Sequence, residues 1–283
     1  MSSRFVALKF LQPHPGLGLQ RLAAVSEGMP DDETLELMYE QVEVGALNGM
    51  MATDVWNELV RGLMAKKPSN MFRVLYACGA LQKVLPEVAA LFGVPQIADD
   101  PPQVDIGQHL LRVLDEAARC NAELPMRFAA MVMNIGKSDS PSEHLPVHYR
   151  HVERGQVRIE AMCERFSIPA ECRELALLAL VECERVHRVS EIRAGPVAAM
   201  LERLCAFDRP QQFKLLMTLC ACDFRAYPKR KTQDYPKAGL LDIALKACAG
   251  IDETGLDADV LQQARAAAIA VAFGSERWSD TQA

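Results

Sequence analysis

Arg127-Phe128-Ala129-Ala130-Met131-Val132-Met133-Asn134-Ile135-Gly136-Lys137 is the stretch on which the reading of this chain turns. It is an apolar run of helical length without strand-like alternation, and it predicts a buried helix that runs into a glycine stop. Met133 and Asn134 close that helix. One is a thioether and the other a neutral amide, both weak donors for a hard divalent cation.

Outward from this helix, the same periodicity recurs along most of the chain. Toward the N-terminus, Pro30-Asp31-Asp32 supplies a helix start, followed by Leu35, Met38, Val42 and Ala46 at helical spacing. Thr53 is placed to cap a helix with Val55, Leu59 and Leu63 on its apolar face, and Ser69 to cap another that runs through Phe72 and Leu75 to Gly79. The first 20 residues, with Pro13, Pro15, Gly16 and Gly18, read as an irregular lead-in. Toward the C-terminus, amphipathic helices are expected over 107–120, 152–166, 169–187, 195–206, 210–223, 236–249 and 257–273. No segment has the β-branched and aromatic alternation of a strand. The fold class is all-α: a multi-helix array followed by a second helical domain. The segment Leu91 to Asp105, interrupted by Pro95, Pro101 and Pro102, marks the best boundary and gives domains 1–95 and 96–283.

Half of the 283 residues are apolar, enough for a substantial core. No apolar run approaches the roughly 20 residues needed to cross a bilayer, and the N-terminus lacks a signal-peptide layout, so the expectation is a cytoplasmic protein with no membrane partner. Nine cysteines without a Cys-x-x-Cys pair read as reduced core thiols. A net charge of −6 argues against a uniformly RNA-binding surface but leaves room for a local patch. The densest positive run is Arg225, Lys229, Arg230, Lys231 and Lys237, interleaved with Tyr227 and Tyr235. It reads either as solvated loop charge or as an RNA contact. The polar loop from Pro141 to His151 carries His144, His148 and His151. The last two, three residues apart, can share a helical face and bind a metal or phosphate, or simply be solvated.

Three groups of motifs together resemble bacterial CCA-adding tRNA nucleotidyltransferases. The first comprises Asp32-Glu33-Thr34-Leu35, Val55-Trp56-Asn57-Glu58, the Phe72 to Leu81 run, and Leu85-Pro86-Glu87-Val88-Ala89-Ala90-Leu91-Phe92-Gly93-Val94-Pro95. The second is Asp105-Ile106-Gly107-Gln108-His109 with the Arg127 to Lys137 helix and His148, His151 and Gly155 behind it. The third is Asp223-Phe224-Arg225 leading to Asp234-Tyr235-Pro236. The resemblance implies a neck and body of helices that bind tRNA, fused to an HD domain. It also implies an upstream catalytic head with a glycine-rich nucleotide loop and an Asp-x-Asp metal pair, neither of which is found here. The expectation is a chain that does not transfer nucleotides alone, because that reaction needs carboxylates to hold two Mg²⁺ ions.

Within the matched region the chain departs from the family pattern. The neck motif Glu-Arg-x-x-x-Glu becomes Thr53, Asp54 and Glu58, so only the last acid remains. In the HD site, His109 matches the first ligand and Asp223 the last, but the central His-Asp pair is Met133-Asn134. His148 and His151 match outer histidines of such sites. A remnant site of His109, Asn134, His148, His151 and Asp223 would hold a divalent metal (Mg, Mn or Ni) weakly; otherwise His109 and Asp223 make an ordinary buried hydrogen-bonded pair. A further His-Asp dipeptide of the family is replaced by Glu184-Arg185.

No catalytic residue and no cofactor are therefore expected. The leading reading is a nucleotidyltransferase-related scaffold that binds tRNA or another structured RNA, with phosphate contacts from Arg61, Lys66, Lys67, Arg73, Arg225, Lys229, Arg230, Lys231 and Lys237. Its other expected partner is a protein that supplies a catalytic head, docked through an apolar surface around Phe5, Leu8, Phe10 and Leu11. The alternative is an HD-type metal-dependent phosphohydrolase with a rearranged site.

Overall fold

A computed structural model of the protein describes residues 14–188 and 193–279. It bears out the helical class, with fourteen α-helices and one small two-stranded sheet among the described residues. None of these helices is long and apolar enough to cross a membrane. The apolar residues Phe5, Leu8, Phe10 and Leu11 lie outside the described residues.

Contacts divide the chain into two compact units, Met1–Val181 with Cys222–Thr232, and Glu182–Ala221 with Gln233–Ala283. The division expected between residues 95 and 96 groups the chain differently, since both sides of that point pack within the first unit.

Among the described residues, the first helices of the first unit are α1 (Pro15–Val25), α2 (Asp32–Glu43), α3 (Ala52–Leu63) and α4 (Ser69–Ala77). Residues 15–20, expected to be irregular, are helical, because Pro15 sits at the first helical turn, where its missing N–H costs nothing. Gly16 has a packing role: a Cβ there would lie 2.3 Å from the Ala46 carbonyl oxygen. Asp31 caps α2 by accepting from the Thr34 N–H at 2.9 Å. Thr53 does not cap α3, which starts at Ala52 behind Met51. Nor does Ser69 cap α4. Its hydroxyl and N–H instead donate to the Asp115 carboxylate at 2.7 and 3.1 Å. Gly79, at φ +75°, supplies the left-handed turn that ends α4 as expected.

Two single-turn helices, α5 (Leu81–Val84) and α6 (Pro86–Ala89), lead to a hairpin of β1 (Pro95–Ile97) and β2 (Gln103–Asp105). The strands are antiparallel, with Pro95 opposite Asp105 and Ile97 opposite Gln103. This corrects the strand-free reading. Three residues per strand are too few for a period of two to emerge, and prolines mask what remains. The unit continues with α7 (Ile106–Arg119), α8 (Leu124–Val132), 3-10 turns at Ile135–Lys137 and Ser142–His144, α9 (His151–Phe166) and α10 (Ala170–Arg188). The division into units falls inside α10 and inside α12 (Pro210–Arg225).

In the first unit, α1 packs on α3 and α4, α7 on α4 and α8, and α9 on the Ile135–Lys137 turn. The decisive helix is buried from Met126 through Lys137. Its glycine acts by close approach rather than by a left-handed stop. A Cβ on Gly136 would fall 1.9 Å from the His151 carbonyl oxygen.

In the second unit, α11 (Ala194–Arg203), α13 (Pro236–Cys248) and α14 (Ala258–Ser279) pack on one another. Arg265 ties them by ion-pairing with Glu202 at 3.2 Å and with Glu253. Its guanidinium also lies 3.8 Å over the Phe207 ring.

Candidate functional site

The remnant metal positions are built on α7, α8, α12 and the loop after α8, all within the first unit. Asp105 starts α7 by accepting from the Gln108 N–H at 2.7 Å, which sets His109 one turn into the helix with no solvent exposure. From α12, Asp223 places a carboxylate oxygen 2.8 Å from His109 Nε2. The phenol ring of Tyr227 lies against the imidazole, with centroids 4.4 Å apart. Nδ1 of His109 is buried and has no hydrogen-bond partner among the described residues.

A polar chain runs alongside this pair. Tyr227 Oη accepts from Gln96 Nε2 at 3.3 Å, and Gln96 Oε1 accepts from the buried Lys137 ammonium at 3.0 Å. Gln96 is on β1, so the unforeseen hairpin supplies the bridge between the α8 end and α12. His148 Nε2 lies 2.9 Å from the Pro95 carbonyl oxygen, which only accepts, so that nitrogen carries the proton. Its Nδ1 then accepts from the Ser140 hydroxyl at 2.7 Å. His151 Nδ1 donates to the His148 carbonyl at 2.8 Å. Asn134 and Met133 are buried beside the turn that follows α8.

This donor set does not suit the metal that the HD resemblance implies. The His109–Asp223 distance alone decides nothing, because two ligands at right angles on one ion, each at ~2.1 Å, would also be about 3 Å apart. What decides is the remainder of the site. Both ring nitrogens of His148 are engaged with protein atoms, and the central positions offer a thioether and an amide. Among the described residues, no group of three or more histidine, cysteine or carboxylate side chains is arranged to hold an ion.

The positions named for RNA contact separate into two sets. Lys229 pairs with Asp100 and Arg230 with Asp99, both acids lying in the turn of the hairpin. Arg230 also stacks 4.7 Å over Phe224. Arg225 reaches the buried Glu116 at 3.4 Å. Lys237, in the second unit, donates to the Val186 carbonyl at 3.0 Å and to that of His187, at the end of α10. Lys231 is exposed. In the other set, Lys66 and Lys67 on the α3–α4 connection and Arg73 on α4 are exposed and form no ion pair among the described residues. Arg61 is half-exposed but bonded to Glu58 at 3.1 Å.

Glu58, the surviving acid of the neck pattern, lies buried in the wall of a cleft of about 490 Å³, between Arg61 and Arg21 on α1. Glu58 thus stands as a carboxylate between two arginines, while the other two positions of that pattern are Thr53 and Asp54. Sequence reasoning missed Arg21, Gln96, Arg112, Lys137 and Tyr227. Tyr227 stood inside the basic run and Lys137 behind a glycine, but Gln96 carried no signal at all. Burial lowers the pKa of Arg112, which donates to the Ala226 carbonyl at 2.7 Å and feels the charge of Arg73.

No protein-family model matches the chain. It is similar to proteins named multifunctional CCA protein: 43% identical over 235 residues to that of Burkholderia ambifaria, covering 82% of this chain and 57% of the relative. Against the Cupriavidus necator protein the identity is 40% over 252 residues, 86% of this chain and 61% of the relative. The Burkholderia multivorans protein gives 41% over the same length and shares. The chain thus spans 57–61% of the length of these relatives.

Proposed function

Because the chain is related over most of its length to multifunctional CCA proteins, we propose that it is a nucleotidyltransferase-related scaffold that binds tRNA or another structured RNA and has no hydrolytic centre of its own. The observation that carries the reading is the charge distribution. Lys66 and Lys67 on the α3–α4 connection and Arg73 on α4 are exposed and have no carboxylate partner among the described residues, whereas Lys229 and Arg230 in the more conspicuous run are paired with Asp100 and Asp99. Unpaired, exposed cations on one segment bind phosphates without reading bases.

The test is a titration of a tRNA transcript by fluorescence anisotropy across a salt series. Affinity should fall linearly in log–log form as salt rises. A Lys66→Glu, Lys67→Glu, Arg73→Glu variant should bind at least about tenfold more weakly with a shallower slope, since each lost phosphate contact removes about 0.7–0.9 from it. Failure of the wild-type protein to bind at low salt, or equal binding by the variant, would overturn the reading.

The phosphohydrolase alternative keeps one observation in its favour, the orphaned Nδ1 of the fully buried His109. The donor set around it weighs against that alternative, and metal analysis separates the two.

A further inference from the structure

Cys120 closes α7 at its C-cap, and Cys222 lies on α12 one residue before Asp223. Their sulfurs are 3.9 Å apart, in van der Waals contact, across a separation of 102 residues. Cys120 is partly exposed, while Cys222 is buried. Arg225 Nη2 points at the Cys120 sulfur from 3.6 Å, and Arg119 flanks it. The Glu116 carboxylate accepts from both arginines. We propose that Cys120 and Cys222 form an oxidisable dithiol, a modification site for peroxide that staples α7 to α12 beside the His109–Asp223 pair.

The chemistry balances with a peroxide as the named oxidant. The partly exposed Cys120 sulfur, as thiolate, attacks the O–O bond. A sulfur–oxygen bond forms, the peroxide bond breaks, and hydroxide leaves and takes a proton to become water. The sulfenic acid so formed is two electrons more oxidised. The Cys222 sulfur then attacks it, forming the S–S bond and breaking the S–O bond, and a second water leaves with the Cys222 proton. Two thiols and one hydrogen peroxide give one disulfide and two waters. To bond, the sulfurs must approach by about 2 Å, within the reach of side-chain rotation at a helix end. A second close pair, Cys183 and Cys220 at 3.6 Å, is buried on both sides. It lacks an exposed sulfur to begin the reaction.

The whole 283-residue chain carrying Cys205→Ser, which removes the exposed thiol, is treated with graded hydrogen peroxide, alkylated and mapped by mass spectrometry. The expected product is a Cys120–Cys222 linked peptide that appears before any Cys183–Cys220 link and raises the thermal midpoint by about 5 °C until dithiothreitol is added. Cys222→Ala should leave a sulfenic acid at Cys120 that dimedone traps, which separates loss of the resolving thiol from loss of folding. Oxidation of Cys120 to sulfinic acid without cross-linking, or both thiols remaining alkylatable at peroxide levels that oxidise other cysteines, would overturn the proposal.

Discussion

His109 Nε2 donates to Asp223 Oδ1 at 2.8 Å and joins α7 to α12 across 114 residues of sequence. A carboxylate this buried has little water to replace a lost partner, and neither has the imidazole. Asp223→Ala should therefore destabilise the protein by about 3 kcal/mol in urea unfolding. Asp223→Asn keeps an acceptor oxygen and should cost about half as much. If Asp223→Ala unfolded at the wild-type midpoint, the pair would not be part of what holds this seam.

Restoring the missing ligands tests why the site lacks the donors of a metal centre. Wild-type protein incubated with Mn²⁺, Ni²⁺ or Mg²⁺ and then desalted should retain no stoichiometric metal. A Met133→His, Asn134→Asp variant regains an imidazole and a carboxylate at the two central positions of the pattern, and should retain about one equivalent of Mn²⁺ or Ni²⁺. Elemental analysis reads both. Wild-type metal that disappears in His109→Ala would reverse the conclusion and revive phosphohydrolase chemistry.

Gly136 and Gly155 form a close backbone crossing between the turn after α8 and helix α9. A methyl group on Gly136 would meet the His151 carbonyl oxygen at 1.9 Å and the Gly155 nitrogen at 2.5 Å, neither of which can rotate away. On Gly155 it would meet Leu180 Cδ1 at 2.6 Å, the far end of a side chain that can change rotamer. Gly136→Ala should cost about 3 kcal/mol and Gly155→Ala about 1 kcal/mol in chemical denaturation. Equal costs would contradict this asymmetry.

Most helices were legible because each buries one stripe of apolar side chains, and that periodicity survives without knowledge of neighbours. Their caps were not. Ser69 was available as a cap but is held by Asp115, 46 residues away, and no local pattern announces such a partner. The hairpin was hidden for a related reason. Gln96 and Val104 alone point inward on its two strands, so its place is set by what Gln96 bonds across the fold. In the site, His109 and Asp223 were found through resemblance, which also exposed Met133 and Asn134 as departures. The neutralisation of Lys229 and Arg230 depends on Asp99 and Asp100, roughly half the chain away, and charge density in sequence overstated that run as a nucleic-acid surface.

Arg127 opens the decisive stretch and is 5% exposed, yet it pairs with no carboxylate among the described residues. Its Nε donates to the Ala122 carbonyl at 2.7 Å, and its Nη1 to the carbonyls of Leu63 and Ala65 at 2.8 and 2.9 Å. Leu63 is the last residue of α3, so the guanidinium neutralises carbonyls at a helix C-terminus while holding α8 against it. Burial lowers its pKa from the ordinary arginine value, but that value lies so far above neutrality that the group stays charged. Arg127→Leu should cost about 3–4 kcal/mol, because three carbonyls lose their donor in a place water does not reach. Arg127→Lys should recover little of it, since one ammonium cannot span acceptors that a planar guanidinium reaches from two nitrogens. Neither cost should vary between about pH 5 and 9, because protonation of arginine is complete throughout that range. Urea unfolding of the three proteins at both ends of that range is the measurement. A lysine variant as stable as wild type would mean that charge at the α3 terminus, rather than the shape of the guanidinium, fastens α8 in place.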